Sequence, residues 1–344
     1  MQLYNKLNSE ERRKLIESAR VDRLTISFYT YHQLGNPQLF RDHLFLAWNA
    51  LDVLGRIYVA SEGINAQLSV PAPNFGKFKD HLDSIAFLQN VRLNIAVEQD
   101  NFSFLKLKIK LRNKIVADGL NDDTFDASAC GVHLRAKEFN ELTAKPNTLL
   151  IDMRNHYESE IGHFKGAWTP DVDTFRDSLP LILDEIKGNE KDQNIVMYCT
   201  GGIRCEKASA YFKHQGFKNV FQLEGGIIEY VRQVKEQSLE NKFIGKNFVF
   251  DNRMAEKISD DVISSCHQCG VACDVHSNCA NLDCNLLFIQ CDRCKANMKN
   301  CCSQECIEVV QLPEEEQKLR RKGKANSNKI YKKGRKMDAR RGTV

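Results

Sequence analysis

The sequence predicts a multi-domain α/β chain, on three observations. Residues 24 to 111 alternate strand-like and helix-like runs in the order β-α-β-β-α-β. Further on, the apolar run Ile195-Val196-Met197-Tyr198 gives way to the loop Cys199-Thr200-Gly201-Gly202-Ile203-Arg204, and then to a helix-like run from Cys205 to Gln215. Ten of the thirteen cysteines crowd between Cys266 and Cys306. A length of 344 residues leaves room for two or three domains. An apolar content of 42% with 27% charged residues is the balance of a soluble globular protein. No apolar run approaches a membrane span, and the charged residues 1–20 hold no signal-peptide core. So many cysteines without an export signal point to metal binding and catalysis rather than disulfides, and to the cytoplasm.

The first domain is expected over residues 21–115. Leu24 to Thr30 alternates as a strand does, and Gln38 to Leu54 reads as a helix that starts after Pro37 and stops before Gly55. Ile57-Tyr58-Val59-Ala60 and Ile64-Asn65-Ala66-Gln67-Leu68 flank Ser61-Glu62-Gly63 as a hairpin. Phe75 to Phe87 has a helical period; Val91 to Val97 and Phe104 to Leu111 read as strands. That order is a ferredoxin-like α+β sandwich. Asn65 is read as a hairpin residue with a structural role in preference to a ligand contact.

The Cys199 loop carries the chemistry. Its two glycines let backbone amides turn inward where a strand hands over to a helix. Amides converging on a helix N-terminus attract an anion and favour a thiolate over a thiol, which would make Cys199 a nucleophile. Arg204 would add positive charge. The competing account is a small buried thiol at a strand end.

The flanking residues decide between the two. Leu150-Ile151-Asp152-Met153-Arg154, Glu160 and Gly162-His163-Phe164-Lys165-Gly166-Ala167 precede the loop. Gly216-Phe217-Lys218-Asn219-Val220 and Leu223-Glu224-Gly225-Gly226-Ile227 follow it. In order and spacing these motifs resemble a single rhodanese domain over residues 125–237, which implies a central parallel α/β sheet. The resemblance makes Cys199 the sulfur-bearing residue, held by the amides of its loop. Asp152 and Arg154 are expected to order the loop after their own strand through an ion pair or hydrogen-bond network, and His163 to be a structural donor. Cys205 is expected to be a packed core thiol; a role in resolving an oxidised Cys199 is the alternative. No Ser/His/Asp arrangement, phosphate loop or dinucleotide fingerprint is present, so no flavin or nicotinamide is expected.

Residues 260–310 read as a zinc-binding segment. Cys266-x2-Cys269 and Cys291-x2-Cys294 have the spacing that lets two thiolates reach one metal. Cys273, Cys279, Cys284, Cys301, Cys302 and Cys306 supply partners for two tetrahedral sites, with His267 and His276 as possible substitutes. Such a segment cannot bury a core of its own, so metal would supply its folding energy. Residues 314–344 form a basic tail. From Lys318 to Arg341 there are twelve Lys and Arg against Asp338 alone, on a chain of net charge +4. Arg320, Arg321, Lys322, Lys332, Lys333, Arg335 and Lys336 are the expected contacts to RNA phosphates. The run lacks the apolar face that a membrane surface requires.

Taken together, the first domain looks like the acylphosphatase-like domain that precedes a rhodanese domain in one bacterial family, although the Arg-bearing phosphate loop of true acylphosphatases is missing between Phe28 and Pro37. The whole assembly resembles the rhodanese-containing tRNA uridine(34) hydroxylases. Membership implies oxygen-dependent formation of 5-hydroxyuridine at the wobble position of tRNA, with molecular oxygen as co-substrate. The residues alone read as a sulfurtransferase acting on, or bound to, RNA, and a non-catalytic zinc and RNA scaffold is the third reading.

Overall fold

The computed structural model of the chain describes residues 3, 5, 7–120, 129–186, 193–322 and 334. Helix α1 (Ser9–Ala19) is started by Asn8, whose side chain accepts from Glu11 N–H while Glu11 caps back, satisfying two amides that a helix start leaves free. The first sheet combines β1 (Arg23–Tyr31), β2 (Leu54–Ala60), β3 (Gly63–Pro71), β4 (Asn94–Ile95) and β5 (Leu107–Leu111). Their order is β4-β1-β3-β2-β5. The first four strands run antiparallel in the ferredoxin-like arrangement, and β5 adds to the far edge parallel to β2. Helices α2 (Pro37–Ala50) and α3 (Phe75–Asp83) cover one face. Trp48, Leu44 and Phe78 from these helices bury against Ile26, Phe28, Ile57, Ile64 and Leu68.

The period of two along β1 sets the domain's orientation. Ile26 and Phe28 face the helices, which sends Tyr29 and Tyr31 to the opposite face. That face meets the second domain.

Several sequence expectations need correction here. The stretch Val91 to Val97 pairs only at Asn94–Ile95, and Phe104 to Leu111 only from Leu107. The helix expected over Phe75 to Phe87 ends at Asp83 and continues as a separate 3₁₀ turn, Ala86–Leu88.

The second domain adds β6 (Val132–Leu134), α4 (Ala136–Thr143), β7 (Thr148–Asp152), α5 (His156–Ser159), β8 (Gly162–Phe164), α6 (Phe175–Ile186), β9 (Asn194–Tyr198), α7 (Ile203–His214), β10 (Val220–Leu223) and α8 (Gly226–Gln237). Strands β6-β10-β9-β7 form a parallel sheet. Parallel strands need helices on both faces, and their residues are buried on both. Ile195 and Met197 pack with Leu179, Ile182 and Phe212 of α6 and α7; Val196 and Tyr198 pack with Phe139, Ile227 and Tyr230 of α4 and α8.

The chain then forms β11 (Phe243–Phe248), between β8 and β12 (Ala255–Lys257). The cysteine-rich part holds the hairpin β13 (His276–Asn278) and β14 (Leu287–Ile289), with α9 (Asp292–Asn297) and α10 (Gln304–Gln311). Helix α11 (Glu314–Arg321) follows.

Candidate functional site

Cys199 stands immediately after the C-terminal end of β9, in the loop that leads into α7. The helix begins two residues earlier than the sequence suggests, at Ile203, because Gly202 takes φ 102° and serves as its N-cap. That left-handed turn aims the Gly202 amide back at Cys199, and its N–H donates to Sγ at 3.1 Å. The start of α8 clasps the same loop. Ile227 N–H donates to Cys199 O (3.0 Å) and Ile228 N–H to Thr200 O (3.3 Å). Gly226 sits at φ +65°, and a Cβ there would lie 2.5 Å from Cys199 O, so the approach requires glycine.

The electrostatics favour thiolate. Burial alone pushes the Cys199 thiol up. A hydrogen bond from the Cys205 thiol, the Arg204 guanidinium and the amides of Arg204 and Gly202 outweigh it, leaving the thiol near 6. Arg204 is held in place by Glu158 through two contacts of 2.7 and 2.8 Å, and it lies within 3.5 Å of Thr200 Oγ1. Both side chains are buried, so the pair is poorly screened and its geometry is fixed.

Cys205 is fully buried on α7, and burial raises its own thiol, so it stays protonated and able to donate to Cys199. The alkylation of Cys199 by a small neutral reagent, followed by peptide mass spectrometry, should therefore titrate near pH 6, against about 8.5 for an ordinary cysteine. Thiolate persists above that midpoint and is lost below it. Cys205→Ala removes the first of the stabilising contacts and should move the midpoint upward; an unchanged midpoint would contradict this account.

Asp152 ends β7 and Arg154 follows it closely. Arg154 Nη2 contacts Asp152 Oδ2 and Gly162 O, each at 2.6 Å, and Tyr198 Oη donates to Asp152 Oδ2 at 2.7 Å. Both charges are fully buried, and the network ties the end of β7 to the end of β9. His163 Nδ1 lies 3.0 Å from Ser159 O, and Asn65 donates to Ile115 O; neither reaches the loop's thiol in these contacts.

Sequence reasoning missed the wall contributed by the first domain. Tyr29 Oη donates to Glu206 Oε1 (3.0 Å), and it stands 2.8 Å from where a Gly202 Cβ would be. Tyr31 Oη donates to Ile203 O (3.3 Å), and Asn94 Nδ2 to Gly201 O (3.4 Å). The signal available was the pair of tyrosines at a spacing of two, opposite the apolar face of β1. Glu158, the anchor of Arg204, was missed as well.

The cysteine cluster resolves into two quartets. Cys266, Cys269, Cys291 and Cys294 bring their sulfurs within 4.8 Å of one another, as do Cys279, Cys284, Cys302 and Cys306. Sulfur separations of 3.7, 3.6 and 3.8 Å occur within them. A tetrahedral ion with metal–sulfur bonds of about 2.3 Å requires an edge of about 3.8 Å. The donor set therefore fits zinc. Cys273 and Cys301 are corrections to the expected ligand list. Cys273 packs in the apolar cluster around Cys266 and Ile289, and Cys301 Sγ faces Lys299 O at 3.6 Å. His267 is engaged by Glu160 at 2.8 Å, and neither it nor His276 belongs to a quartet.

The basic segment is partly paired. In α11, Lys318 meets Glu314 and Glu315, and Arg320 meets Glu316, so the helix balances its own charge. Arg321 and Lys322 close that helix; Lys332, Lys333, Arg335 and Lys336 lie outside the described residues. Among the described residues no helix is long and apolar enough to cross a membrane.

Three families match consecutive parts of the chain. Residues 23–115 match the UPF0176 acylphosphatase like domain, 135–233 the rhodanese-like domain and 244–307 the rhodanase C-terminal domain. A tRNA uridine(34) hydroxylase from Photorhabdus laumondii is 52% identical over 334 residues, covering 97% of this chain and 95% of that protein. A protein of the same name from Yersinia pestis is 53% identical, covering 97% of this chain and 94% of its own length.

Proposed function

Since the chain belongs to the tRNA uridine(34) hydroxylase family, we propose that it converts uridine 34 of tRNA to 5-hydroxyuridine with Cys199 as nucleophile and dioxygen as oxidant. The observation that carries this reading is the thiol of Cys199, buried at a helix start yet held near 6 by Cys205, Arg204 and two amides.

Uracil C5 is a poor target for dioxygen until electron density is raised there. Addition of the Cys199 thiolate to C6 forms a carbon–sulfur bond and moves an electron pair onto C5 and O4. Dioxygen adds at C5 and, after protonation, leaves a hydroperoxide. Two thiols reduce the hydroperoxide to the alcohol and water, becoming a disulfide. Loss of the C5 proton then expels Cys199 from C6 and restores the double bond. The net reaction consumes uridine, dioxygen and two thiols, and yields 5-hydroxyuridine, water and a disulfide. The loop amides hold the thiolate charge before addition and after expulsion. Zinc held by four thiolates has no open coordination position, so its contribution is to the fold.

A persulfide on Cys199 would fit the same loop amides, and the match to the rhodanese-like domain keeps sulfur transfer as the second reading. Mass spectrometry of nucleosides from tRNA incubated with the purified protein separates the two. A gain of one oxygen at position 34 is expected; 2-thiouridine would support sulfur transfer.

The basic segment is proposed to contact the phosphate backbone. Deleting residues 318–344 should weaken tRNA binding and flatten its salt dependence, each lost contact lowering the log–log slope by about 0.7–0.9. An unchanged slope would place the electrostatic contact elsewhere on the protein.

A further inference from the structure

We infer that Asn94, on the edge strand of the first domain, reads the uracil base at the Cys199 loop. The inference rests on the proposed hydroxylation and deepens it. Two independent features meet at this residue. Asn94 is 4% exposed and packs on the loop, where its Nδ2 donates to Gly201 O at 3.4 Å and lies 3.5 Å from where a Gly201 Cβ would be. Its Oδ1 is buried and has no hydrogen-bond donor among the described residues. A buried acceptor without a donor is rare in folded proteins, and one beside a reactive loop marks the place of a ligand donor.

Tyr29 and Tyr31, with Oη atoms bonded to Glu206 and Ile203 O, fix β1 against α7. Ser27 of β1 pairs with Asn94, so the position of β4 over the loop follows from that of β1. Arg92 pairs with Glu224 beside the same loop and ties down the approach to β4.

The free groups on Asn94 match one base edge. With one N–H committed to Gly201 O, the amide has Oδ1 as an acceptor and one N–H as a donor. Uracil presents N3–H as a donor beside the O4 acceptor, so both groups are satisfied. Cytosine presents a lone pair at N3 and an amino group at C4. To accept cytosine the amide must turn over, which sets Oδ1 against the Gly201 carbonyl. The contact with Gly201 therefore gives Asn94 a fixed sense and a preference for uracil over cytosine. A hydrogen bond to O4 also falls where charge collects when a thiolate adds at C6.

The test uses the full chain, tRNA with uridine or cytidine at position 34, and three readouts. They are kcat/KM for hydroxylation, binding of each tRNA with the other as competitor, and the pH midpoint of Cys199 alkylation. Asn94→Ala should lower kcat/KM for the uridine tRNA by about 10- to 100-fold. It should remove most of the preference for uridine over cytidine and leave the alkylation midpoint unchanged. If wild type hydroxylates and Asn94→Ala does so equally well, with its preference intact, the inference is wrong while the function stands. Loss of activity together with a shifted midpoint would assign Asn94 to loop support instead, and overturn base reading. A wild-type protein that leaves uridine 34 unmodified would overturn the proposed function and this inference with it.

Discussion

Cys199→Ala protein should form 5-hydroxyuridine at least about a thousandfold more slowly than wild type, the scale set by removing a nucleophile in other enzymes. Its tRNA binding should remain near normal. The argument is local. Cys199 is buried behind its loop, so removing its sulfur leaves the protein surface unchanged, and the thiolate charge lost with it lies beneath that surface. Ala also keeps the strand-to-helix turn, because Gly202 and Gly226 supply its unusual backbone. Substitution of Arg204 would be a poorer test, since it strands the fully buried Glu158 carboxylate and endangers the fold. Hydroxylation surviving in Cys199→Ala, measured by nucleoside mass spectrometry, would remove the nucleophile from the account.

The second large effect concerns metal. Purified protein should hold two zinc ions per chain, one for each quartet. Cys291→Ser should hold about one, and residues 264–307 should become open to protease. The scale decides this. Structural zinc contributes apparent binding energies of about 10–16 kcal/mol, whereas a whole domain is stable by about 5–15 kcal/mol. The apolar clusters here are small and include ligands, Cys266 and Cys294 in one and Cys279 and Cys306 in the other, so their packing loosens once the metal is gone. Cys273→Ser and Cys301→Ser should keep two zinc ions, since neither side chain belongs to a quartet. Metal-free protein that still resists protease in this region, assayed by elemental analysis beside limited proteolysis, would contradict the assignment.

What could be read in the sequence was what is local. The Cys199 loop is contiguous, and its glycines and flanking strand and helix signals lie within the 21 residues from Ile195 to Gln215. The apolar spacing of β1, α2 and β3 likewise disclosed the sandwich, because each element carries its own period. The start of α7 was misplaced by two residues, since propensity does not register the left-handed turn at Gly202. The shortness of β4 was hidden for a different reason: pairing depends on which strand lies alongside. The zinc pairing was closed to inspection, because ten cysteines permit many combinations and the fold selects among them. Cys266 and Cys269 join Cys291 and Cys294, while the four cysteines of the other quartet begin between those pairs and end after them. Asn94 and Tyr29 were the least legible, since each meets the loop across more than a hundred residues of chain. An asparagine between leucine and isoleucine carries no local mark of that contact.

The central claim is that Cys199 activates uridine 34 for attack by dioxygen, and the origin of the new oxygen atom tests it most directly. Wild type and Cys199→Ala would each be incubated with tRNA and thiol under ¹⁸O-labelled dioxygen in unlabelled water, and the nucleosides weighed. The account predicts one labelled oxygen in 5-hydroxyuridine from wild type and no such product from Cys199→Ala. Unlabelled 5-hydroxyuridine from wild type, or labelled product from Cys199→Ala, would contradict it.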